Sequence, residues 1–266
     1  MYTFDDAGGR SITLRPENTA AAARAYIEDK LFANTQPTKL FYIGPMFRYE
    51  RPQAGRFRQF HQFGVECFGT NSPAADAEII ALAWEFYRRL GLKDLEVHLN
   101  SVGCPNCRPA HRKRLQEFLK PRYDELCDTC KGRYEKNPLR ILDCKSPVCQ
   151  ELTKGAPTTL DCLCDDCKEH FEAVKSYLDA AGIPYTIDNR LVRGLDYYTN
   201  TAFEIHMKGI GAQSAVCGGG RYNGLLEEIG DRSIPGVGYA LGMERVFNSL
   251  KAQGIEIPVN NDKDVF

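Results

Sequence analysis

The sequence predicts an α+β fold: an antiparallel β-sheet flanked by helices, with a small cysteine-rich subdomain inserted into it. Two observations carry this. Strand-like and helix-like stretches succeed one another as hairpins and single helices, without the regular βαβ alternation that builds a parallel sheet. And the composition changes between residues 101 and 168, where nine of the eleven cysteines fall.

The elements follow in order. Pro16 stands where a helix begins, and residues 20–32 read as that helix. Residues 39–50 (KLFYIGPMFRYE) and 58–68 (RQFHQFGVECF) are rich in aromatic and β-branched residues. With Pro and Gly between them in 51–57 (RPQAGRF), they read as a hairpin with a long loop. Ser72-Pro73 opens a second helix, whose apolar face is Ile79, Ile80, Ala83, Tyr87 and Leu90 and which Gly91 closes. Residues 101–168 read as the insertion. An amphipathic helix follows at 169–181, then short strands at 184–188, 201–207 and 213–217, and a helix from about 221. Residues 236–241 (GVGYAL) form a strand that runs into a helix at 242–252. The chain thus divides into a core at 1–100, the insertion at 101–168, the second part of the core at 169–257, and the start of a linker at 258–266 (PVNNDKDVF).

Bulk properties narrow the function. A chain of 266 residues, 43% hydrophobic and 26% charged, buries a full core. A formal charge of -1 argues against wrapping nucleic acid over the whole surface. A local basic run remains at 108–114 (RPAHRKR), which reads either as a solvated helix face or as a nucleic-acid contact. No run of 18 apolar residues and no signal peptide is found, and cysteines clustered in a chain this long fit a reducing compartment, so the expected location is the cytoplasm. There is no P-loop, no G-x-G-x-x-G after a strand and no H-E-x-x-H, so a nucleotide would have to be held by other means.

Arginines are those means. Arg48, Arg51, Arg56 and Arg58 crowd around the hairpin loop, and guanidinium groups bind phosphate oxygens as two-pronged forks. On the second strand Arg58, Phe60, Gln62, Gly64, Glu66 and Phe68 share one face by the period-two alternation. That face mixes charge, ring, amide, carboxylate and a space-clearing glycine, as a substrate floor does. An exposed edge hairpin with solvated arginines is the plainer alternative. Arg245 falls in the first turn of the last helix, where a cation opposes the helix dipole unless an anion docks there. Tyr197-Tyr198 alone reads as a core aromatic pair, and Gly218-Gly219-Gly220 alone as a turn. Cys104/Cys107, Cys127/Cys130 and Cys164/Cys167 are C-x-x-C pairs and Cys144/Cys149 is a looser fourth. Four pairs can supply two tetrahedral Cys₄ zinc sites, or stay as reduced thiols buried like small hydrophobes.

Taken together these stretches resemble the histidyl-tRNA synthetase family. FRYER followed by GRFRQFHQ is similar to motif 2 of class II aminoacyl-tRNA synthetases, and 236–247 (GVGYALGMERVF) to motif 3. Residues 190–204 (RLVRGLDYYTNTAFE) and 215–225 (AVCGGGRYNGL) resemble the two signatures peculiar to histidyl enzymes, and 13–19 (TLRPENT) completes the set, with Asn18 where the family more often has Gly. The resemblance implies a class II sheet fold, ATP with Mg²⁺ as cofactors, L-histidine as substrate and tRNA(His) as partner. Its reaction is activation of histidine to the adenylate, then transfer to the tRNA's terminal ribose. It assigns Arg48 and Arg193 to the α-phosphate and reacting carboxylate, Glu50 to the adenine side, Arg56 and Arg245 to the outer phosphates, and Phe60 to stacking on adenine. Gln62 and Glu66 would hold the histidine, Tyr197 and Tyr198 line the imidazole pocket over a floor of Gly218 and Gly219, and Glu17 and Thr19 face the α-amino group. Motif 1 and an anticodon-binding domain have no counterpart in these residues, so the reading is of a core cut at both ends, and dimerisation, the family's habit, stays open. Two other classes share the fold: the histidine-sensing regulatory subunit of ATP phosphoribosyltransferase, and a tRNA-binding synthetase-like domain without catalysis. The full set Arg48, Arg56, Arg193 and Arg245 argues against both, since neither needs to stabilise a transition state.

Overall fold

The structure is a computed structural model that describes residues 1–52, 56–208, 214–230 and 232–258; residues 53–55 of the expected hairpin loop and all but the first residue of the linker expected at 258–266 lie outside the described residues. A small ribbon of β1 (Thr3–Asp5) and β2 (Ser11–Thr13) precedes the main sheet. The main sheet comprises β3 (Thr38–Phe47), β4 (Gln59–Phe68), β5 (Leu95–Ser101), β6 (Tyr185–Ile187), β7 (Thr199–Met207), β8 (Ala215–Arg221) and β9 (Gly236–Gly242), in the order β3-β4-β9-β8-β7-β5-β6. Every pairing is antiparallel except β5 with β6 at the edge. The expected hairpin is present, with Tyr42 opposite Gly64 and Phe47 opposite Gln59, although its first strand ends at Phe47 and leaves Arg48 to Glu50 in the loop.

Period-two alternation divides this sheet into two unlike faces. Val65 and Cys67 of β4, Val97 and Leu99 of β5, Phe203, Ile205 and Met207 of β7, and Val237, Tyr239 and Leu241 of β9 all point into the main core. Three helices cover that face: α2 (Pro73–Arg89), α7 (Asp165–Ala180) and α9 (Met243–Ala252). They contribute Ile79, Ile80, Ala83 and Tyr87, then Phe171, Val174 and Leu178, then Val246 and Leu250. Burying one such aliphatic or aromatic side chain contributes about 1.5–3 kcal/mol, so this layer holds the sheet and fixes its registers. The opposite face receives Gln62, Gly64, Glu66, Glu204, Gly218, Gly238 and Ala240, with Phe60 and Phe68 toward the two ends of β4.

Helix ends follow their local chemistry. Ser72 caps α2 by accepting from the amide of Ala74 at 3.3 Å, with Pro73 behind it, and Gly91 closes the helix at φ 80°. α1 (Thr19–Glu28) stops short of the expected residue 32, because Lys30 turns left-handed at φ 55° and a 3₁₀ turn, Leu31–Ala33, follows. α7 begins ahead of the expected 169, at Asp165, where Asp165 and Asp166 complement the dipole of the first turn.

The helix expected from about 221 is a correction. Residues 218–221 continue β8, and α8 (Leu225–Gly230) starts later. The three glycines are strand interior, not a turn, because neighbouring strands and side chains press against them. A Cβ on Gly219 would meet Tyr239 Cβ at 2.7 Å and Phe203 Cε1 at 2.8 Å, and Gly220 holds φ 153°. Arg221 is then wholly buried, its guanidinium donating to Asp76 of α2 and to the carbonyls of Thr70 and Ser72. His170 of α7 approaches the same carboxylate at 3.4 Å, so one buried ion pair ties β8 to two helices.

Residues 108–152 form α3 (Arg108–Leu119), α4 (Asp128–Lys136), α5 (Leu139–Leu142) and α6 (Pro147–Leu152) around a separate apolar cluster that includes Leu115, Leu119, Ile141 and Leu152. The basic run lies on α3 and fastens neighbouring segments: Arg108 donates to the carbonyl of Tyr198, Arg112 to that of Glu135, and Arg114 to that of Asp161 at 3.2 Å. Among the described residues no helix is long and apolar enough to cross a membrane.

Candidate active site

The polar face of the sheet opens into a cavity of about 280 Å³ lined by Arg48, Arg56, Phe60, Gln62, Arg193, Glu204, Gly218, Glu244 and Arg245, among others. The four arginines come from the hairpin, the segment after β6, and the first turn of α9, and the sheet brings them to one place. Each is held by a neighbour. The Arg48 guanidinium lies 3.9 Å over the ring of Phe60, Arg56 pairs with Glu50 at 3.0 Å, and Arg245 donates to the carbonyl of Ala215. Arg193 Nη1 donates to Glu204 Oε1 at 2.6 Å, with Tyr198's ring 5.3 Å from its guanidinium carbon. The local partners considered for Arg193 in sequence, Asp188 and Asp196, are taken by His98 and Arg140 instead.

Several polar atoms here lack partners among the described residues: Gln62 Oε1, Glu66 Oε1, Arg193 Nε and Glu244 Oε2 are buried without a hydrogen bond. A buried polar atom left unpaired costs about 1–3 kcal/mol. Three of these atoms, on Gln62, Arg193 and Glu244, belong to residues that line this cavity, where a ligand rich in donors and acceptors would satisfy them.

Further along the same face lies a buried cluster of a carboxyl and tyrosines. Glu66 is 1% exposed and accepts a hydrogen bond from the Tyr222 hydroxyl. Burial pushes its carboxyl up to about 8, against the lowering effect of that bond. Two glycines make the room. A Cβ on Gly238 would lie 2.8 Å from Cδ of Glu66, and one on Gly64 would collide with the ring of Tyr42. The rings of Tyr197 and Tyr198 lie 4.9 Å apart, tilted by 37°, and Tyr197 meets Tyr222 edge-on at 5.7 Å. Glu17 accepts from the amide of Thr19 at 2.7 Å and of Ala20 at 3.2 Å, which caps α1, and Thr19 is buried.

Of the residues expected to bind ATP or histidine, Arg48, Arg56, Phe60, Gln62, Arg193, Gly218 and Arg245 line the cavity, whereas Gly219 faces the main core, against Tyr239 and Phe203. Tyr42, Tyr222, Glu204, Gly238 and Glu244 were not singled out in sequence. Glycines at facing positions of three strands were the signal that could have found them, since each bare position implies a bulky group above it.

The sequence model of the histidyl-tRNA synthetase family matches residues 1–107 and 149–246. The chain belongs to the histidyl-tRNA synthetase family. A histidine–tRNA ligase of Desulforamulus reducens is 64% identical over 266 residues, which is 100% of this chain and 64% of that protein. One of Pelotomaculum thermopropionicum is 61% identical over the same span, 63% of its length. Apo histidyl-tRNA synthetase of Staphylococcus aureus has the same fold, with a TM-score of 0.79 and 47% identity over 97% of this chain and 62% of that one. The chain thus spans a little under two thirds of the length of these histidyl-tRNA synthetase relatives. The histidyl-tRNA synthetase family model passes over residues 108–148, the stretch that contains α3 to α5.

The cysteines gather into two sets of four, Cys104, Cys107, Cys164 and Cys167, and Cys127, Cys130, Cys144 and Cys149, with the sulfur atoms of each set within 4.8 Å of one another. None forms a disulfide. Sγ of Cys104 is 3.6 Å from that of Cys107 and 3.9 Å from that of Cys164, and Cys127 and Cys144 are 3.9 Å apart. A tetrahedron with bonds of about 2.3 Å has edges of roughly 3.8 Å, so both sets fit a zinc ion.

Proposed function

We propose that this chain activates L-histidine with ATP to histidyl-adenylate and passes the histidyl group to tRNA(His), with residues 1–100 and 169–257 as two parts of one catalytic core and 101–168 as an insertion. The observation that carries the reading is the convergence of four arginines from three parts of the chain on one cavity, on a sheet face that also holds a buried carboxyl among tyrosines. Activation needs no general base, because the histidine carboxylate is already the nucleophile. It needs alignment with the α-phosphate and neutralisation of charge as the new P–O bond forms and pyrophosphate leaves.

On this reading Arg48 and Arg193 hold the α-phosphate and reacting carboxylate, while Arg56 and Arg245 hold the outer phosphates. Phe60 stacks on adenine and Glu50 contacts its edge, which requires Arg48 to slide off the ring and Glu50 to release Arg56. Glu66, Gln62, Tyr197 and Tyr198 take the imidazole over Gly218, and Glu17 and Thr19 receive the α-amino group. The unpaired oxygen of Glu244, a hard donor at the cavity wall, suits the Mg²⁺ that accompanies ATP. The two thiol sets would hold structural zinc.

The test is histidine-dependent exchange of pyrophosphate into ATP, run with each of the twenty amino acids. Exchange with histidine alone is expected. Histidine binding without exchange would point to a sensor, and exchange driven by another amino acid would refute the substrate assignment.

A further inference from the structure

We infer that His206 is a positioning residue that sets the aim of Arg193 through Glu204. The inference rests on the assignment of Arg193 to the reacting groups. β5 and β7 pair so that Glu96 faces His206 and His98 faces Glu204, which puts all four side chains on the polar side of the sheet. Glu204 is the hub. Its Oε1 accepts from Arg193 at 2.6 Å, and its Oε2 lies 3.0 Å from Nε2 of His206. Burial alone would raise the Glu204 carboxyl, but the bond from His206 and the Arg193 charge hold it below the ordinary carboxylate range, so it stays an anion.

His206 is itself held by two further contacts. Its Nδ1 lies 2.7 Å from the Ser214 hydroxyl, and its ring stacks on that of His98 at 4.0 Å and 18°. His98 in turn lies 3.1 Å from Asp188, whose carbonyl accepts from Leu191 and whose carboxylate accepts from the amide of Arg190, so the stack also grips the segment that leads into Arg193. Across the sheet Gly218 stands opposite Glu204, and only its missing side chain leaves room for the guanidinium. With Oε2 turned to His206, Glu204 meets Arg193 through Oε1. A carboxylate freed of His206 would turn both oxygens on Arg193 as a two-pronged pair. The fork that should meet the reacting groups would then be drawn back toward the sheet.

The experiment compares His206→Leu, His206→Gln and Arg193→Ala in histidine-dependent pyrophosphate exchange, with thermal melting as a check on folding. His206→Leu removes the donor to Oε2. It is expected to lower kcat about 10- to 100-fold, the scale of an ångström's misplacement, while KM for histidine stays within about threefold. His206→Gln places an amide donor near the position of Nε2 and should restore kcat to within about threefold of the parent. The double variant Arg193→Ala/His206→Leu should be no worse than Arg193→Ala. Near-normal kcat in His206→Leu, or a loss that glutamine does not repair, overturns the role of His206. If Arg193→Ala keeps full exchange, the assignment of Arg193 itself has failed, a result distinct from the first.

Discussion

A Cβ on Gly218 would lie 2.8 Å from the guanidinium carbon of Arg193. The two residues are far apart in sequence, yet neither position makes sense without the other. Arg193 comes from an irregular segment laid across the sheet, and it can descend to Glu204 because β8 has no side chain beneath it. Gly218→Ala should therefore expel the guanidinium. Adenylate formation is expected to fall at least about 100-fold, while overpacking lowers stability by about 1–3 kcal/mol. Exchange kinetics and urea unfolding of the same variant would check both, and full activity would mean that Arg193 acts from elsewhere.

Arg193→Ala removes charge and fork together and should slow activation on the order of 10²–10³-fold. It also strands Glu204 with His206 as its remaining partner, so some stability, on the order of 1–3 kcal/mol, is lost with it. Arg193→Lys separates the two effects. It retains the ion pair and most of the stability, yet lacks the planar fork, and should remain poor in exchange. Parent-like exchange in the lysine variant would show that geometry is not what this position supplies.

Glu66 gives the ligand-free protein a pH signature. Its carboxyl titrates near 8 in the folded chain, against an ordinary value of 4.5. Between those values the folded state therefore binds more protons than the unfolded one, and stability from this group falls as pH rises. Its contribution is fullest below about 4.5 and gone above about 8. Glu66→Gln should flatten the decline in melting temperature between pH 5 and 8 relative to the parent. An identical slope in both would mean that Glu66 ionises normally.

The thiol sets predict metal content. Reduced protein should carry close to two equivalents of zinc, and Cys107→Ser and Cys130→Ser should each lose one. Chelation should melt α3 to α6 before the sheet, because their shared cluster is small and the metals supply much of its folding energy. Less than a tenth of an equivalent would leave the cysteines as buried thiols.

The hairpin and its face were legible in sequence because one strand carries its own alternation: Phe60, Gln62, Gly64 and Glu66 name the polar side unaided. The neighbours of that strand were not. Tyr222 meets Glu66 only because β8 and β9 lie beside β4, and adjacency of strands is a tertiary fact that periodicity does not encode. β5 escaped notice although LEVHLNS alternates well, since its partner β7 lies about a hundred residues away. The cysteine spacings gave the pairs but not their coupling, which depends on the path of the helices between them.

The first thiol set also closes a neck. β5 delivers the chain to Cys104 and Cys107, and α7 leads away from Cys164 and Cys167, so everything between departs and returns through one point 3.9 Å wide at the Cys104 and Cys164 sulfurs. Beyond a clamped neck, added length costs little, since each doubling of a closed loop adds only about 0.6 kcal/mol. The excursion can lengthen, shrink or exchange its helices while the strands keep their registers, whereas one substitution at the neck would slacken the end of β5 and the start of α7 together.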